Sequence, residues 1–150
     1  MISLKGRITG IYIGSQKGGP KTETPSAELI ADHGLRGDSH AGVDRNRQVS
    51  LFAVEVLREL QQDGFDLSPE ILSANLFTEN ISLDALQPGS RLSIGTSILE
   101  IVEQRKPCRS ITRIDNRLPK RLIGKCGQLA KIIKASTIQQ GDEVTILQIR

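Results

Sequence analysis

Cys108 is the residue whose surroundings most favour chemistry. The apolar run Ile98–Val102 predicts a strand, and Pro107 ends its ladder because proline has no backbone N–H to donate. Cys108 follows, with Lys106 and Arg109 close by in the sequence. Nearby positive charge lowers the pKa of a thiol, and the thiolate is the form that attacks sulfur or binds metal. A cysteine that only packs lies more often inside an apolar run. The pattern therefore predicts a reactive or metal-binding thiol.

A second polar group lies in the glycine-rich segment 32–42. Arg36, Asp38 and His40 alternate there, so an extended backbone would point all three side chains to one side. One carboxylate and one imidazole do not fill the coordination sphere of a metal. The alternative is a charged turn in which Asp38 and His40 bond to nearby backbone groups. The loop Ser15–Pro25 carries two lysines and flexible glycines, so it could close over an anion or be a disordered surface loop.

The charge distribution is uneven along the chain. Residues 105–134 hold ten basic residues and one acid, Asp115, so this stretch carries +9 although the whole chain carries only +3. Such a block predicts an anionic partner or, as the alternative, a solvated basic face. Nucleic acid is a poor candidate, because no helix-turn-helix, zinc-finger or RNA-recognition signature accompanies the charge and the chain has three Phe, one Tyr and no Trp for stacking.

The elements that must position these residues are mostly short strands separated by glycine turns. One clear amphipathic helix is predicted over Phe52–Gln62, with Ser50 as its cap, and Ser68-Pro69 predicts the start of a short helical turn. Many short strands with one good helix favour a mainly β fold, a closed or nearly closed β-barrel with short helical turns. A length of 150 residues predicts a single domain over 1–150.

The expected location is the cytoplasm. The N-terminus lacks the apolar core of a signal peptide, and no apolar run approaches the roughly 20 residues of a membrane span. Two cysteines without a secretion signal indicate a reducing compartment. We therefore expect no membrane partner.

Several motifs, in this order, resemble those of the MOSC domain, the C-terminal module of molybdenum cofactor sulfurases that also occurs as small standalone bacterial proteins. Residues 34–42 are similar to its G-x-x-G-D-x-H-x-G turn. Thr78–Ile81 is similar to its G-E-N-[IL] element, with Thr78 where glycine is usual. Further matches are Arg47–Leu51 followed by Glu55, Pro88-Gly89 with Leu92, Ile94 and Gly95, the position of Cys108, and the closing segments Leu129–Ile133 and Gly141–Val144.

The resemblance implies a β-barrel that handles the molybdenum cofactor, whose molybdopterin is an anionic pterin. It implies that Cys108 carries sulfur as a persulfide, in a transferase-like reaction, or ligates molybdenum. A cysteine desulfurase or a molybdoenzyme is the implied protein partner. Carried over by position, Asp38, His40 and Asn80 would shape the pocket, and Arg36, Arg47, Lys106 and Arg109 would contact the anion.

Two other functions stay open at this point. One is a module that carries or delivers intact cofactor without chemistry. The other is a thiol switch between Cys108 and Cys126, against which two unrelated thiols are the simpler interpretation, because sequence separation alone specifies no disulfide geometry. The resemblance assigns no role to Cys126.

Overall fold

The computed structural model describes residues 2–16, 19–44, 47–107 and 109–149, with the side chains of Arg109 and Ser110 left out. Cys108, the predicted reactive thiol, lies outside the described residues. Within those ranges the elements, in chain order, are β1 (Lys5–Ile13), β2 (Thr22–Glu23), β3 (Ser26–Ile30), β4 (Gly34–Leu35), β5 (Val49–Ala53), α1 (Val54–Gln62), α2 (Pro69–Leu72), β6 (Leu76–Glu79), a 3-10 turn (Leu83–Ala85), β7 (Arg91–Ile94), β8 (Ser97–Gln104), α3 (Arg109–Ile114), α4 (Leu118–Arg121), β9 (Gln128–Lys134), β10 (Ser136–Gln139) and β11 (Glu143–Gln148).

Seven of these strands form a closed barrel, in the order β11-β7-β8-β9-β5-β6-β1. The barrel closes where β1 pairs with β11, with Lys5 opposite Thr145 and Arg7 opposite Glu143. The β5–β6 pair is parallel and the other pairs are antiparallel. β2 pairs antiparallel with the end of β1, while β10, β3 and β4 form a separate small sheet. The predicted mainly β barrel is therefore confirmed.

The barrel interior is filled by the alternate apolar side chains of its strands. Leu51 and Leu76 share this interior face with Val49. Phe52 and Phe77 alternate to the other face of β5 and β6, with ring centroids 5.7 Å apart, and Tyr12 meets Phe77 edge-to-face at 5.4 Å, so a buried aromatic cluster packs against the outside of the barrel wall. Burying a side chain of this size contributes about 1.5–3 kcal/mol relative to leaving it in water. The same packing holds β1, β5 and β6 together beneath the polar groups described below.

The amphipathic helix is confirmed, but it begins at Val54 and not at Phe52. Phe52 and Ala53 continue β5, because the parallel ladder places them opposite Phe77 and Thr78 and holds them extended. Ser50 does not cap the helix. Its hydroxyl instead exchanges hydrogen bonds with Asn75, at the start of β6.

The segment 34–42 is not extended, so the prediction that Arg36, Asp38 and His40 share one side was wrong. The chain turns after β4, with the Asp38 N–H bonded to the Leu35 carbonyl and the Ala41 N–H to that of Asp38. Asp38 is buried, whereas Arg36 is exposed and pairs with Glu28. The alternative of a charged turn is confirmed for Asp38, which accepts hydrogen bonds from the backbone N–H groups of Gly14 and His40, whereas the His40 side chain lies beside Asp38.

None of the helices in the described ranges is both long and apolar enough to cross a membrane.

Candidate functional site

A cleft of about 460 Å³ opens where β8 ends and β9 begins. Ser50 on β5, Asn75 just before β6 and Gln104 at the end of β8 all line the cleft. Its lining is mostly polar or charged: Lys21, His40, Arg47, Gln48, Ser50, Ser73, Asn75, Glu103, Gln104, Arg105, Lys106 and Leu129. The cleft therefore collects side chains from three barrel strands, β5, β8 and β9, and from the segments before β2, β5 and β6 and after β8.

Asp38 lies beneath this cleft as a fully buried carboxylate. Its Oδ1 accepts hydrogen bonds from the Gly14 N–H at 3.0 Å and from Lys21 Nζ at 3.3 Å, and its Oδ2 accepts one from the His40 N–H at 3.2 Å. Burial raises the pKa of Asp38. The Gly14 N–H, the Lys21 charge and the His40 N–H outweigh that effect, so the pKa lies below its ordinary value. The carboxylate is therefore ionised at neutral pH.

Asn75 connects this carboxylate to the barrel wall. Its Nδ2 donates to the Tyr12 carbonyl at 3.1 Å and to Asp38 Oδ1 at 3.3 Å, while its Oδ1 accepts from the backbone N–H and the hydroxyl of Ser50, both at 3.1 Å. One amide thus joins β1, β5 and the turn that carries Asp38. A buried amide with all these partners fixes one side of the cleft.

The cations of the cleft outnumber its carboxylates. Lys21 pairs with Asp38, and Arg47 Nε lies 2.6 Å from Glu103 Oε1. Arg105 donates from Nη2 to the Leu72 carbonyl at 2.9 Å, whereas its Nη1 is buried and accepted by no described residue. Lys106 is exposed and has no ion pair within the described chain. Arg105 and Lys106 therefore leave the cleft with excess positive charge.

The structure brings some of the predicted site residues together. His40, Arg47 and Lys106 line the cleft, and Asp38 lies under it with His40 Nδ1 3.5 Å from its Oδ2. Nothing is described for the side chain of Arg109.

Arg36 and Asn80 do not line this cleft. Arg36 forms an ion pair with Glu28 on β3. Asn80 follows β6, and its N–H donates to Glu55 Oε2 at 2.7 Å. Asn75 is five residues earlier, at the other end of β6. Because a strand rises about 3.3 Å per residue, the two asparagines lie about 16 Å apart.

Sequence reasoning assigned no site role to Lys21, Gln48, Asn75 or Arg105. The only signal for Lys21 was its place in a loop with two lysines, and a 3% exposed lysine is not predictable from that composition. Gln48 is buried because its Oε1 accepts from the Ile132 N–H at 2.9 Å on β9. Arg105 was included only in the basic block of residues 105–134.

Among the described residues, no group of three or more His, Cys, Asp or Glu side chains could hold a metal ion.

The family model of the MOSC domain matches residues 36–145, so the chain belongs to the MOSC domain family. This family is associated with the C-terminal function of molybdenum cofactor sulfurases. No curated protein matches the chain.

Solved structures share the fold at low identity. The chain is similar to the YuaD protein from Bacillus subtilis, with a TM-score of 0.82, 20% identity and 94% of each chain covered. It is also similar to YiiM from Geobacillus stearothermophilus, with a TM-score of 0.73, 16% identity and coverage of 95% of this chain and 75% of that one. For YiiM from Escherichia coli the TM-score is 0.72 and the identity 18%, with 96% of this chain and 70% of that chain covered.

Proposed function

We propose that this MOSC domain binds the molybdenum cofactor in the cleft through its anionic molybdopterin, and that Cys108 is either a persulfide sulfur carrier or a molybdenum ligand. The observation that carries the proposal is the excess of cationic donors at the end of β8. Lys106, which lines the cleft, is two residues before Cys108 in the sequence.

The residues of the cleft fit an anionic, phosphate-bearing ligand. Arg105 presents a guanidinium whose Nη1 donor has no acceptor among the described residues, and a buried donor of this kind favours an acceptor supplied by a ligand. Guanidinium groups match the geometry of phosphate oxygens, and Lys106 adds a mobile point charge at the rim. His40 and Ser50 offer further polar contacts from the opposite side.

The buried groups beneath the cleft would position the ligand-binding side chains without touching the phosphate. Asp38 neutralises Lys21, and Asn75 ties both to the barrel wall. When bound, the cofactor would supply a molybdenum–sulfur centre, for which a cysteine thiolate is a suitably soft ligand.

Sulfur transfer would use Cys108 as a nucleophile. Its thiolate attacks the terminal sulfur of a donor persulfide, a new S–S bond forms at Cys108, and the donor cysteine leaves as its thiolate. A cysteine desulfurase is the matching donor and a molybdoenzyme the matching recipient. Cationic surroundings assist because they favour the thiolate form.

The second candidate is a module that carries cofactor to a partner without chemistry. It is supported by the cations of the cleft, because their charge suits an anion and binding alone requires no reaction at Cys108. The thiol switch is the weakest candidate, because Cys126 is fully buried and an oxidant would first have to reach the core.

The cofactor content of purified protein tests the binding proposal. We would express wild type, Lys106→Glu, Cys108→Ser and the control Lys5→Glu in cells that make the cofactor, then measure pterin by fluorescence after oxidation and molybdenum by mass spectrometry. We expect pterin in wild type and Lys5→Glu and its loss in Lys106→Glu. Absence of pterin from well-folded wild-type protein, or equal content in both lysine variants, contradicts the proposal.

Labelled sulfur separates the carrier from the sulfur-transfer role. With a cysteine desulfurase and ³⁵S-cysteine, label should appear on wild type and on the matched control Cys126→Ala but not on Cys108→Ser. No label on wild type that contains pterin would leave the non-catalytic carrier as the function. Loss of molybdenum but not pterin in Cys108→Ser would identify the thiol as a metal ligand.

A further inference from the structure

A second basic surface lies on the two short helices that follow Cys108, away from the polar groups under the first cleft. We call it the α3–α4 patch, and it consists of the exposed residues Arg113, Ile114, Arg117, Lys120, Arg121, Ile123 and Lys125. Ile123 is 71% exposed, the highest value among the large apolar residues of the described chain. The patch thus combines five cations with an exposed aliphatic side chain.

A preformed concave surface borders the patch and shares Arg117, Lys120 and Arg121 with it. A cleft of about 660 Å³ is lined by Asp63, Phe65, Asn116, Arg117, Lys120 and Arg121. The guanidinium carbons of Arg117 and Arg121 lie 4.7 and 5.4 Å from the centroid of the Phe65 ring. Stacking on an aromatic face restricts both guanidinium groups before any partner arrives, which lowers the entropic cost of binding.

Only part of this positive charge is matched within the described chain. Arg117 Nη2 lies 2.7 Å from Asp115 Oδ2, and Arg121 Nη2 lies 2.5 Å from Asp63 Oδ2. No described carboxylate forms an ion pair within 4.0 Å of Arg113, Lys120 or Lys125, although the Lys125 charge acts at longer range on the Asp84 carboxyl, whose pKa it lowers against the larger effect of burial. These three cations therefore remain available to an external anion.

We propose that the α3–α4 patch docks an acidic segment of a partner protein, whose carboxylates meet Arg113, Lys120 and Lys125 and whose apolar side chain covers Ile123. Charge complementarity of this kind accelerates encounter and fixes orientation. Arginine and large apolar residues are also the side chains that contribute most at protein interfaces. The proposal does not depend on cofactor binding in the other cleft.

Shape and composition favour a protein over other anionic partners. A membrane surface would need an amphipathic face longer than the six residues of α3 and the four of α4. A nucleic acid would match the cations, but its phosphates would not cover the aliphatic side chain of Ile123. A concave, partly apolar surface fits a protruding side chain of a folded or folding polypeptide.

Fluorescence anisotropy with a defined probe tests the proposal. The probe is a short fluorescein-labelled peptide of glutamate and leucine, and its counterpart carries glutamine for glutamate. The test variant is Lys120→Glu/Lys125→Glu. Its control, Lys5→Glu/Lys134→Glu, makes the same change in net charge at two other exposed lysines. We expect the acidic peptide to bind wild type and control alike, and to bind the test variant about tenfold more weakly.

Ile123→Ser should weaken binding of the acidic peptide severalfold and leave the salt dependence of that binding unchanged, because the substitution removes apolar contact and no charge. Cys108→Ser should bind the peptide like wild type, which keeps this test separate from that of the proposed function. Circular dichroism confirms that each variant is folded. Equal weakening by test and control pairs overturns the proposal, as does tighter binding of phosphatidylserine vesicles or duplex DNA than of the acidic peptide.

Discussion

Asp38 is the residue on which the polar layer under the cleft at the end of β8 depends. N–H donors from Gly14, Lys21, His40 and Asn75 converge on its two oxygens, and these donors come from four separate segments. A buried charge is tolerated only when it is paired and hydrogen-bonded. We therefore expect unequal costs when either member of the Lys21–Asp38 pair is removed.

Asp38→Ala should reduce the free energy of unfolding by about 3–5 kcal/mol, because it leaves the Lys21 ammonium buried without its partner. Lys21→Met should cost only about 1–3 kcal/mol, since Asp38 keeps its three other donors. Urea denaturation at neutral pH measures both. A cost below about 1 kcal/mol for Asp38→Ala would contradict this account of the pair.

The same carboxylate should make stability depend on acid pH. Because the pKa of Asp38 is lowered in the folded state, its contribution is complete above the ordinary value near 3.9 and disappears as pH falls through the lower folded-state pKa. The stability difference between wild type and Asp38→Asn should therefore be constant near neutrality and shrink below about pH 4. A difference that grows on acidification has the wrong sign for this interpretation.

Tyr12 offers a direct optical test of the aromatic cluster on the outside of the barrel wall, because it is the only tyrosine and the chain has no tryptophan. Burial first, and then Glu23, Glu70 and the hydrogen bond to Glu23, raise the pKa of Tyr12 to about 12. At about pH 11 the native phenol should be mostly neutral and the urea-unfolded phenol mostly ionised, as seen by ultraviolet absorbance. Equal ionisation in the two states would show that the ring is not buried beside Glu23.

At the scale of elements, the close approach of β9 to β5 depends on Gly127. This residue has φ of 92°, and a Cβ there would lie 2.0 Å from the Leu51 carbonyl oxygen. Its own carbonyl accepts the Arg105 N–H at 2.9 Å, so the same backbone also holds the end of β8 beside the cleft. The glycine is therefore required by space as well as by its torsion angle.

Gly127→Ala and Gly141→Ala form a matched pair. Gly141 has the same φ of 92°, but nothing lies within 4 Å of an added Cβ. We expect Gly141→Ala to cost about 1–2 kcal/mol through backbone strain alone, and Gly127→Ala to cost more than that or to prevent folding. Thermal denaturation of the two variants measures the difference. Equal costs would mean that β9 can move away from Leu51 freely.

Elements with a strong local pattern were predictable from the sequence. The helix pattern at Val56 and Leu60 identified α1, and proline at the first helical position identified α2. The helix start was placed two residues early because Phe52 fits the same periodicity and only the β5–β6 ladder removes it. The sequence did not predict α3 or β10. Three of the six residues of α3 are β-branched and two are arginines, so its sequence shows no clear helical periodicity, and the four residues of β10 are too few to show the alternation of a strand.

The cleft was predictable only in part. His40, Arg47 and Lys106 were candidates from motif and charge, and the structure gathers them around one opening. Lys21 and Asn75 owe their places to partners more than 15 residues away in sequence, Asp38 and Tyr12, and no local pattern reports such contacts. Asn80, chosen by its motif, instead ends β6 with a positive φ of 62° and donates to Glu55.

At the scale of the whole molecule, positive charge is unevenly distributed. The basic block of residues 105–134 contributes Arg105 and Lys106 to the cleft at the end of β8 and all five cations of the α3–α4 patch. α3 has six residues and is therefore about 9 Å long, so the two surfaces are joined by a short connection. A partner docked on the patch would lie near the segment that contains the proposed reactive cysteine.

The central claim is that the cleft at the end of β8 binds an anionic pterin, and an equilibrium titration with molybdopterin tests it most directly. We expect saturable binding to wild type and to Lys5→Glu that weakens with added salt, and a dissociation constant at least about tenfold higher for Lys106→Glu. Binding of equal strength to wild type and both variants, or no binding to any of them, would contradict the claim.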